Sequence, residues 1–325
     1  MHAARAGLAP RLWVYEPELL ALILETGENA WFLPGVRIPP SVRAVGSLAE
    51  AAAGAELVVV AVPSHVVRHV AGDLAPHLAA GARVLSAAKG IEEARFARVS
   101  EVLAEVLPAC RDRIAVLSGP TFALEVAQGR PTAAVVAAAE AGLARGLQQA
   151  LAAPAFRLYT RSDVTGVELG GALKNVIAIA AGISDGLDLG MNARAALLTR
   201  GLAEMTRLGV ALGARRSTFA GLAGIGDLIL TCTGALSRNR KLGLALAGGS
   251  TLAEWQAGTR SVAEGVLTTR AALALAGKVG VSAPITAEVA AVLFEEKPPR
   301  EALTALLSRE VRPEEEPDAP IGAPG

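Results

Sequence analysis

The sequence predicts two domains, an α/β domain on a mostly parallel sheet (residues 1–161) and an all-helical domain (162–309). Three observations carry this. Short apolar runs without polar alternation recur from residue 11 to about 160, as strands buried on both faces require. Stretches rich in Ala, Leu and Glu with helical spacing, such as RFARVSEVLAEVLPA (95–109), lie between those runs. After about residue 161 the strand pattern stops and only helical segments follow.

Taken in order, HAARAG reads as the last turns of an Ala-rich helix, stopped by Gly7 and Pro10. RLWVY (11–15) is a short buried strand closed by Glu16-Pro17. ELVVVAVP (56–63), RVLSAAKG (83–90), RIAVLSGP (113–120) and PTAAVVAA (131–138) are further strands, and FRLYT (156–160) a weaker one. SDVTGVELGGALKNVIAIAAGISDG (162–186) is one long helix with Ser162 or Asp163 as its cap. NARAALLTRGLAEMTRLGVALG (192–213) is the next, closed by Gly213, and helical segments run on to about 308. The acidic, Pro/Gly-rich stretch 310–325 is expected to be a disordered tail.

A helix that leads into a strand ending in an acid is the second half of a βαβ unit. The glycine fingerprint G-x-G-x-x-G that opens such units in nucleotide-binding domains occurs nowhere in the 325 residues. Taken at face value, the unit lacks one strand, one glycine turn and half a helix, about 20 residues. The expectation is a domain without its first strand and Gly-rich loop. Either these lie upstream, with Met1 an internal methionine, or they have been lost.

Composition narrows the function classes. Apolar residues make up 52% and aromatics only 3%, so the core packs small side chains closely. Zero formal charge argues against a nucleic-acid binder. Cys110 and Cys232 have no CxxC or histidine spacing, so no metal site is expected and a reduced, cytoplasmic chain is. No run of eighteen uninterrupted apolar residues occurs, and no membrane span is expected.

In open parallel sheets, ligands bind beyond the carboxyl ends of the strands. Here those ends carry Glu16, Pro63-Ser64-His65, Lys89-Gly90 and Ser118-Gly119-Pro120-Thr121, which suggests one shared cleft. Glu16 can hydrogen-bond an adenosine ribose and repel a 2′-phosphate, or it can simply cap the helix PELLALI. All four histidines lie within the first 77 residues, so an acid/base in the helical half is Lys, Asp, Glu or Cys. Lys174, in ELGGALKNVIAIAAG, sits one turn after Gly170 and Gly171 among small and apolar residues. Desolvated there, it would titrate near neutrality; alternatively it snorkels to the surface. In GLAGIGDLILTCTGALSRNRKLG (221–243), Asp227 can pair with Lys174 or cap a helix. Arg238 and Asn239 offer planar donors for a phosphate, with charge added by Arg240 and Lys241; the alternative is a solvated helix start.

These residues reach a known family. FLPG (32–35), VAVPSHVV (60–67), SAAKGI (86–91), SGPTFALEVAQGRPTAAV (118–135), TGVELGGALKNVIAIAAGISDGL (165–187), the 221–243 segment and SVAEGV (261–266) closely resemble NAD(P)-dependent glycerol-3-phosphate dehydrogenases. The match runs in order over roughly residues 11–300. The resemblance implies a Rossmann-like first domain and a helical catalytic domain. It implies hydride transfer between the nicotinamide and C2 of dihydroxyacetone phosphate or sn-glycerol 3-phosphate, supplying glycerol 3-phosphate for phospholipid synthesis. Lys174 inherits the acid/base role with Asp227 beside it. Lys89, Gly119, Thr121, Thr231, Ser237, Arg238 and Asn239 would surround the substrate, Arg238 and Asn239 taking its phosphate. Tyr15, Glu16, Lys89, Ala123, Arg238, Val262 and Glu264 match cofactor-contacting positions. WVYE carries Tyr15-Glu16 where bacterial members often place an arginine, so NAD is favoured over NADP. A cytoplasmic homodimer is expected, with no nucleic-acid or membrane partner. Two rivals remain: a non-catalytic or unstable fragment of such an enzyme, and a related two-domain dehydrogenase of the 6-phosphogluconate or ketopantoate type. The SRNR and SGPTF elements argue against the second. Cys232 is read as a buried, inert thiol.

Overall fold

The computed structural model describes residues 1–260, 262–310 and 313–314. Its strands are β1 (Arg11–Trp13), β2 (Arg43–Val45), β3 (Leu57–Val60), β4 (Arg83–Ser86), β5 (Ile114–Ser118), β6 (Thr132–Ala137) and β7 (Phe156–Arg161). Between them run α1 (His2–Arg5), α2 (Pro17–Thr26), α3 (Leu48–Ala52), α4 (Val67–Leu74), α5 (Val99–Val106), α6 (Ala123–Ala127) and α7 (Ala141–Ala150). The helical half follows as α8 (Val164–Gly186), α9 (Gly190–Ala211), α10 (Arg216–Phe219), α11 (Asp227–Thr233), α12 (Arg238–Ala247) and α13 (Leu252–Ala257). It ends with α14 (Glu264–Lys278), α15 (Pro284–Phe294) and α16 (Pro299–Leu307). Most of the expected tail, 310–325, lies outside the described residues.

The main sheet has the order β3-β4-β5-β6-β7, with every pairing parallel except β5–β6. β4 is buried on both faces, which is why RVLS reads as an unbroken apolar run. FRLYT extends through Arg161 as a six-residue strand, paired from Thr132↔Phe156 to Ala137↔Arg161. Its sequence signal is weak because it closes the sheet: Phe156 and Leu158 point inward, whereas Arg157 and Tyr159 face water.

The sheet is split. β1 and β2 pair in parallel as a separate two-stranded sheet, and β1 is not hydrogen-bonded to β3. Leu12 on β1 and Val59 on β3 are 38% and 46% exposed, far more than a central strand of such a sheet allows. α1 packs at the opposite side, where the His2 ring lies 3.9 Å from that of Phe156 and Arg5 Nη1 donates to Val126 O (2.6 Å).

β7 passes into α8 through Ser162-Asp163. Asp163 is the cap: its Oδ1 accepts from Gly166 N (2.9 Å), while Oδ2 accepts from Arg215 N (2.9 Å) at the start of α10. α8 is long and apolar enough to cross a membrane by composition, with mean hydropathy 1.3. It is instead the core of the helical domain, buried nearly all round and wrapped by α9, α11, α12 and α14. α12 approaches so closely that a side chain at Gly182 would land on the backbone of Arg240 and of Gly243.

Candidate active site

Two lysines from different domains meet on one carboxylate. Lys89 follows β4, and its Nζ lies 2.8 Å from Asp227 Oδ2 while donating to Gly119 O (2.8 Å) and Thr121 Oγ1 (3.1 Å). Lys174, in mid-α8, places its Nζ on Asp227 Oδ1 and donates to Thr231 Oγ1 (2.9 Å). The Thr231 hydroxyl in turn donates to the backbone carbonyl of Asp227 (2.6 Å). The strand-end residues Lys89, Gly119 and Thr121 therefore meet Lys174, Asp227 and Thr231 in one hydrogen-bonded cluster.

Local sequence explains the meeting. The wide turn Leu222–Gly226 delivers Asp227 to the first position of α11. Gly170 lets this turn rest on α8, because a Cβ there would strike Ala223 O. Gly119 has φ +134°, a conformation open to glycine, and turns its carbonyl toward the Lys89 ammonium.

Burial sets the electrostatics. Lys174 is 5% and Asp227 1% exposed, so the lysine does not snorkel. Burial lowers the Lys174 pKa to about 7, helped by the Lys89 charge and opposed by Asp227. Burial alone would raise the Asp227 carboxyl, but the two lysines outweigh it and hold the pKa below its ordinary value. Cys232, on α11, is pushed up to about 12 by burial and is an inert thiol.

The SRNR segment begins α12 and divides its residues. Ser237 caps the helix by accepting from Arg240 N (3.2 Å). Arg238 is exposed and forms no ion pair among the described residues. One expectation changes here. Arg240 does not add free charge for a phosphate, because its Nε and Nη2 pair with Asp185 at 2.7 and 2.6 Å. Asn239 is buried with its amide used on both sides, donating to Asn175 Oδ1 and accepting from Gly265 N, each at 2.9 Å. These bonds tie α12 to α8 and to the start of α14, and Arg238 beside Asn239 is the exposed planar donor.

The other expected positions lie at the ends of their elements. Ala123 opens α6, and Val262 and Glu264 stand at the start of α14. Tyr15 and Glu16 follow β1. Glu16 occupies the N-cap position of α2 yet its side chain makes no cap hydrogen bond, so the carboxylate is left for another partner. Arg260 stacks 4.4 Å over the Trp31 ring and so ties the loop after α2 to the segment before α14. His65 is exposed and outside the cluster. No cluster of three or more potential metal ligands occurs among the described residues. The sequence reading gave no role to Asn175, whose Nδ2 donates to Lys89 O (3.1 Å). Its signal was an amide beside Lys174 in an otherwise apolar helix.

Comparison with known proteins identifies the family. The N-terminal family model of NAD-dependent glycerol-3-phosphate dehydrogenase matches residues 1–144, and the C-terminal one residues 163–304. A glycerol-3-phosphate dehydrogenase [NAD(P)+] of Geobacter metallireducens is 53% identical over 312 residues, covering 96% of this chain and 93% of that protein. One from Koribacter versatilis is 53% identical, covering 94% and 91%. The crystal structure of glycerol-3-phosphate dehydrogenase from Coxiella burnetii superposes with a TM-score of 0.90 at 39% identity, covering 95% of this chain and 94% of that one. The chain belongs to the NAD-dependent glycerol-3-phosphate dehydrogenase family.

Proposed function

We propose that this chain interconverts dihydroxyacetone phosphate and sn-glycerol 3-phosphate with NAD(P), and that Lys174 carries the proton. The observation that supports this most is the buried Lys174–Asp227–Lys89 arrangement, in which one amine titrates near pH 7. A group with that pKa both gives and takes a proton under ordinary conditions.

The donor set fits a dinucleotide at both ends of the cleft. The uncapped Glu16 carboxylate suits ribose hydroxyls, and Lys89, Ala123, Val262 and Glu264 are the other positions we assign to the dinucleotide. When bound, NAD(P) supplies or accepts the hydride at C2 of the substrate. Lys174 then gives its proton to the C2 oxygen in reduction and removes it from the C2 hydroxyl in oxidation. Asp227 holds the ammonium in place, and Thr231 fixes a second of its N–H directions. Lys89, the more open lysine, offers positive charge to the substrate oxygens. Arg238 takes the phosphate, for which its planar fork is suited.

Glu16 in place of an arginine supports NAD over NADP. A homodimer belongs to the same reading, with the apolar groove of about 1360 Å³ lined by α8, α9, α15 and α16 as its face. A cytoplasmic setting and a supply role in phospholipid synthesis complete it. The test is NADH oxidation with dihydroxyacetone phosphate against ketopantoate, with 6-phosphogluconate oxidation assayed in the other direction. Turnover confined to the three-carbon phosphate supports the reading, and preference for another substrate would overturn it.

A further inference from the structure

Lys89 is the part of the proton site that comes from the sheet domain, so its placement against Asp227 depends on contacts that cross the domain boundary. The Lys89–Gly90 peptide is held from two sides. On one, Asn175 Nδ2 donates to Lys89 O, and the amide chain continues through Asn239 to Gly265 N. On the other, the Glu264 carboxylate accepts Ser64 N at 2.9 Å on Oε1 and the Ser64 hydroxyl on Oε2. Gly90 packs directly on this pair: a Cβ there would lie 2.6 Å from Glu264 Oε2 and would land on Ser64 Oγ. Ser64, just beyond β3, is buried and spends both its donors on a residue 200 positions away.

We propose that Ser64 is a positioning residue: by clasping Glu264 across the domain boundary it fixes the Lys89–Gly90 peptide, and with it the Lys89 ammonium, against Asp227. The contacts form a closed ring, running from Ser64 through Glu264, Gly265, Asn239, Asn175 and Lys89 to Gly90 and back to Ser64. Without the Ser64 hydroxyl, the half-buried Glu264 Oε2 loses the partner that orients it and turns away. Gly90 then loses its wall, and Lys89 drifts from the shared carboxylate. The inference rests on the proposed role of Lys174, because the effect is read out there.

That readout has a defined sign. The groups facing Lys174 are Asp227, Thr231 and Cys232 from α11 and Lys89 from the sheet domain; Arg240 and Asp185 pair with each other further along α8. Lys89 is the one cation among them. Its retreat leaves Asp227 to Lys174 alone, so the Lys174 midpoint rises.

The test is an NMR titration of the cofactor-free full-length chain labelled with carbon-13 at lysine Cε, with Lys174→Met used for assignment. The wild-type resonance should titrate near pH 7 and that of Ser64→Ala about one unit higher. In the same variant, kcat for dihydroxyacetone phosphate should fall about tenfold with KM nearly unchanged. Gly90→Ala opens the clasp from the other side and should move the midpoint the same way. A folded Ser64→Ala chain with the wild-type midpoint and kcat would overturn the proposal. Wild-type kinetics in Lys174→Met would instead count against the role of Lys174, so the two failures are distinguishable.

Discussion

Lys89 crosses from the sheet domain to the helical domain to place its Nζ 2.8 Å from Oδ2 of Asp227. The other oxygen of that carboxylate is held by Lys174. A single buried acid thus serves two amines with different work. The more open lysine faces the cleft, and the enclosed one has its pKa brought to about 7.

The pH dependence of the two directions should be opposite. Reduction needs protonated Lys174, so kcat/KM for dihydroxyacetone phosphate falls as pH rises through about 7. Oxidation of glycerol 3-phosphate needs the neutral amine and rises through the same region. Stability carries a matching sign. The folded pKa lies below the ordinary 10.5, so the unfolded chain binds more protons between the two values. Lys174 therefore opposes folding fully below about pH 7 and progressively less as pH rises toward 10.5. Denaturant melts of wild type and Lys174→Met at several pH values check this.

Asp227→Asn removes the shared charge and leaves two ammonium groups facing each other. The Lys174 midpoint should then fall below its wild-type value, the reverse of the Ser64→Ala effect. Loss of positioning should lower kcat about 100-fold or more. Steady-state kinetics across pH, with a thermal melt to confirm folding, read both.

Arg238→Ala and Asn239→Ala should fail differently. Arg238 is exposed at the start of α12, and if it takes the phosphate as proposed its loss should raise KM for dihydroxyacetone phosphate by about 10- to 100-fold, for about 1.5–3 kcal/mol of charge-assisted hydrogen bonding. Asn239 is a buried link between Asn175 and Gly265, so its loss should lower the melting temperature as well as turnover. Comparing KM with Tm separates the two.

Much of this was legible in sequence, for physical reasons. Strands buried on both faces leave unbroken apolar runs, so β3 to β6 were visible, whereas β7 was faint because Arg157 and Tyr159 face water. Lys174 stood out because a cation in an apolar helix has few places to go. Arg240 misled because a side chain's chemistry does not reveal its partner. Asp185, 55 positions away, claims it through the α8–α12 crossing. The sharing of Asp227 by two lysines needs a fold that brings residues 89, 174 and 227 together, and no local pattern encodes that.

Glu16→Ala should relax cofactor choice. The carboxylate follows β1 without a capping bond, and on the proposed reading it accepts ribose hydroxyls and repels a 2′-phosphate. The ratio of kcat/KM for NADH to that for NADPH should fall about tenfold, as paired assays with the two cofactors would show.

The central claim is that the buried Lys174 amine carries the proton. Lys174→Met keeps the length and apolar stem of the side chain and leaves Asp227 paired with Lys89, so the fold should hold. With saturating NADH and dihydroxyacetone phosphate at neutral pH, kcat should drop by about 1000-fold or more while a thermal melt stays near wild type. A folded Lys174→Met protein that turns over at close to the wild-type rate would contradict the account.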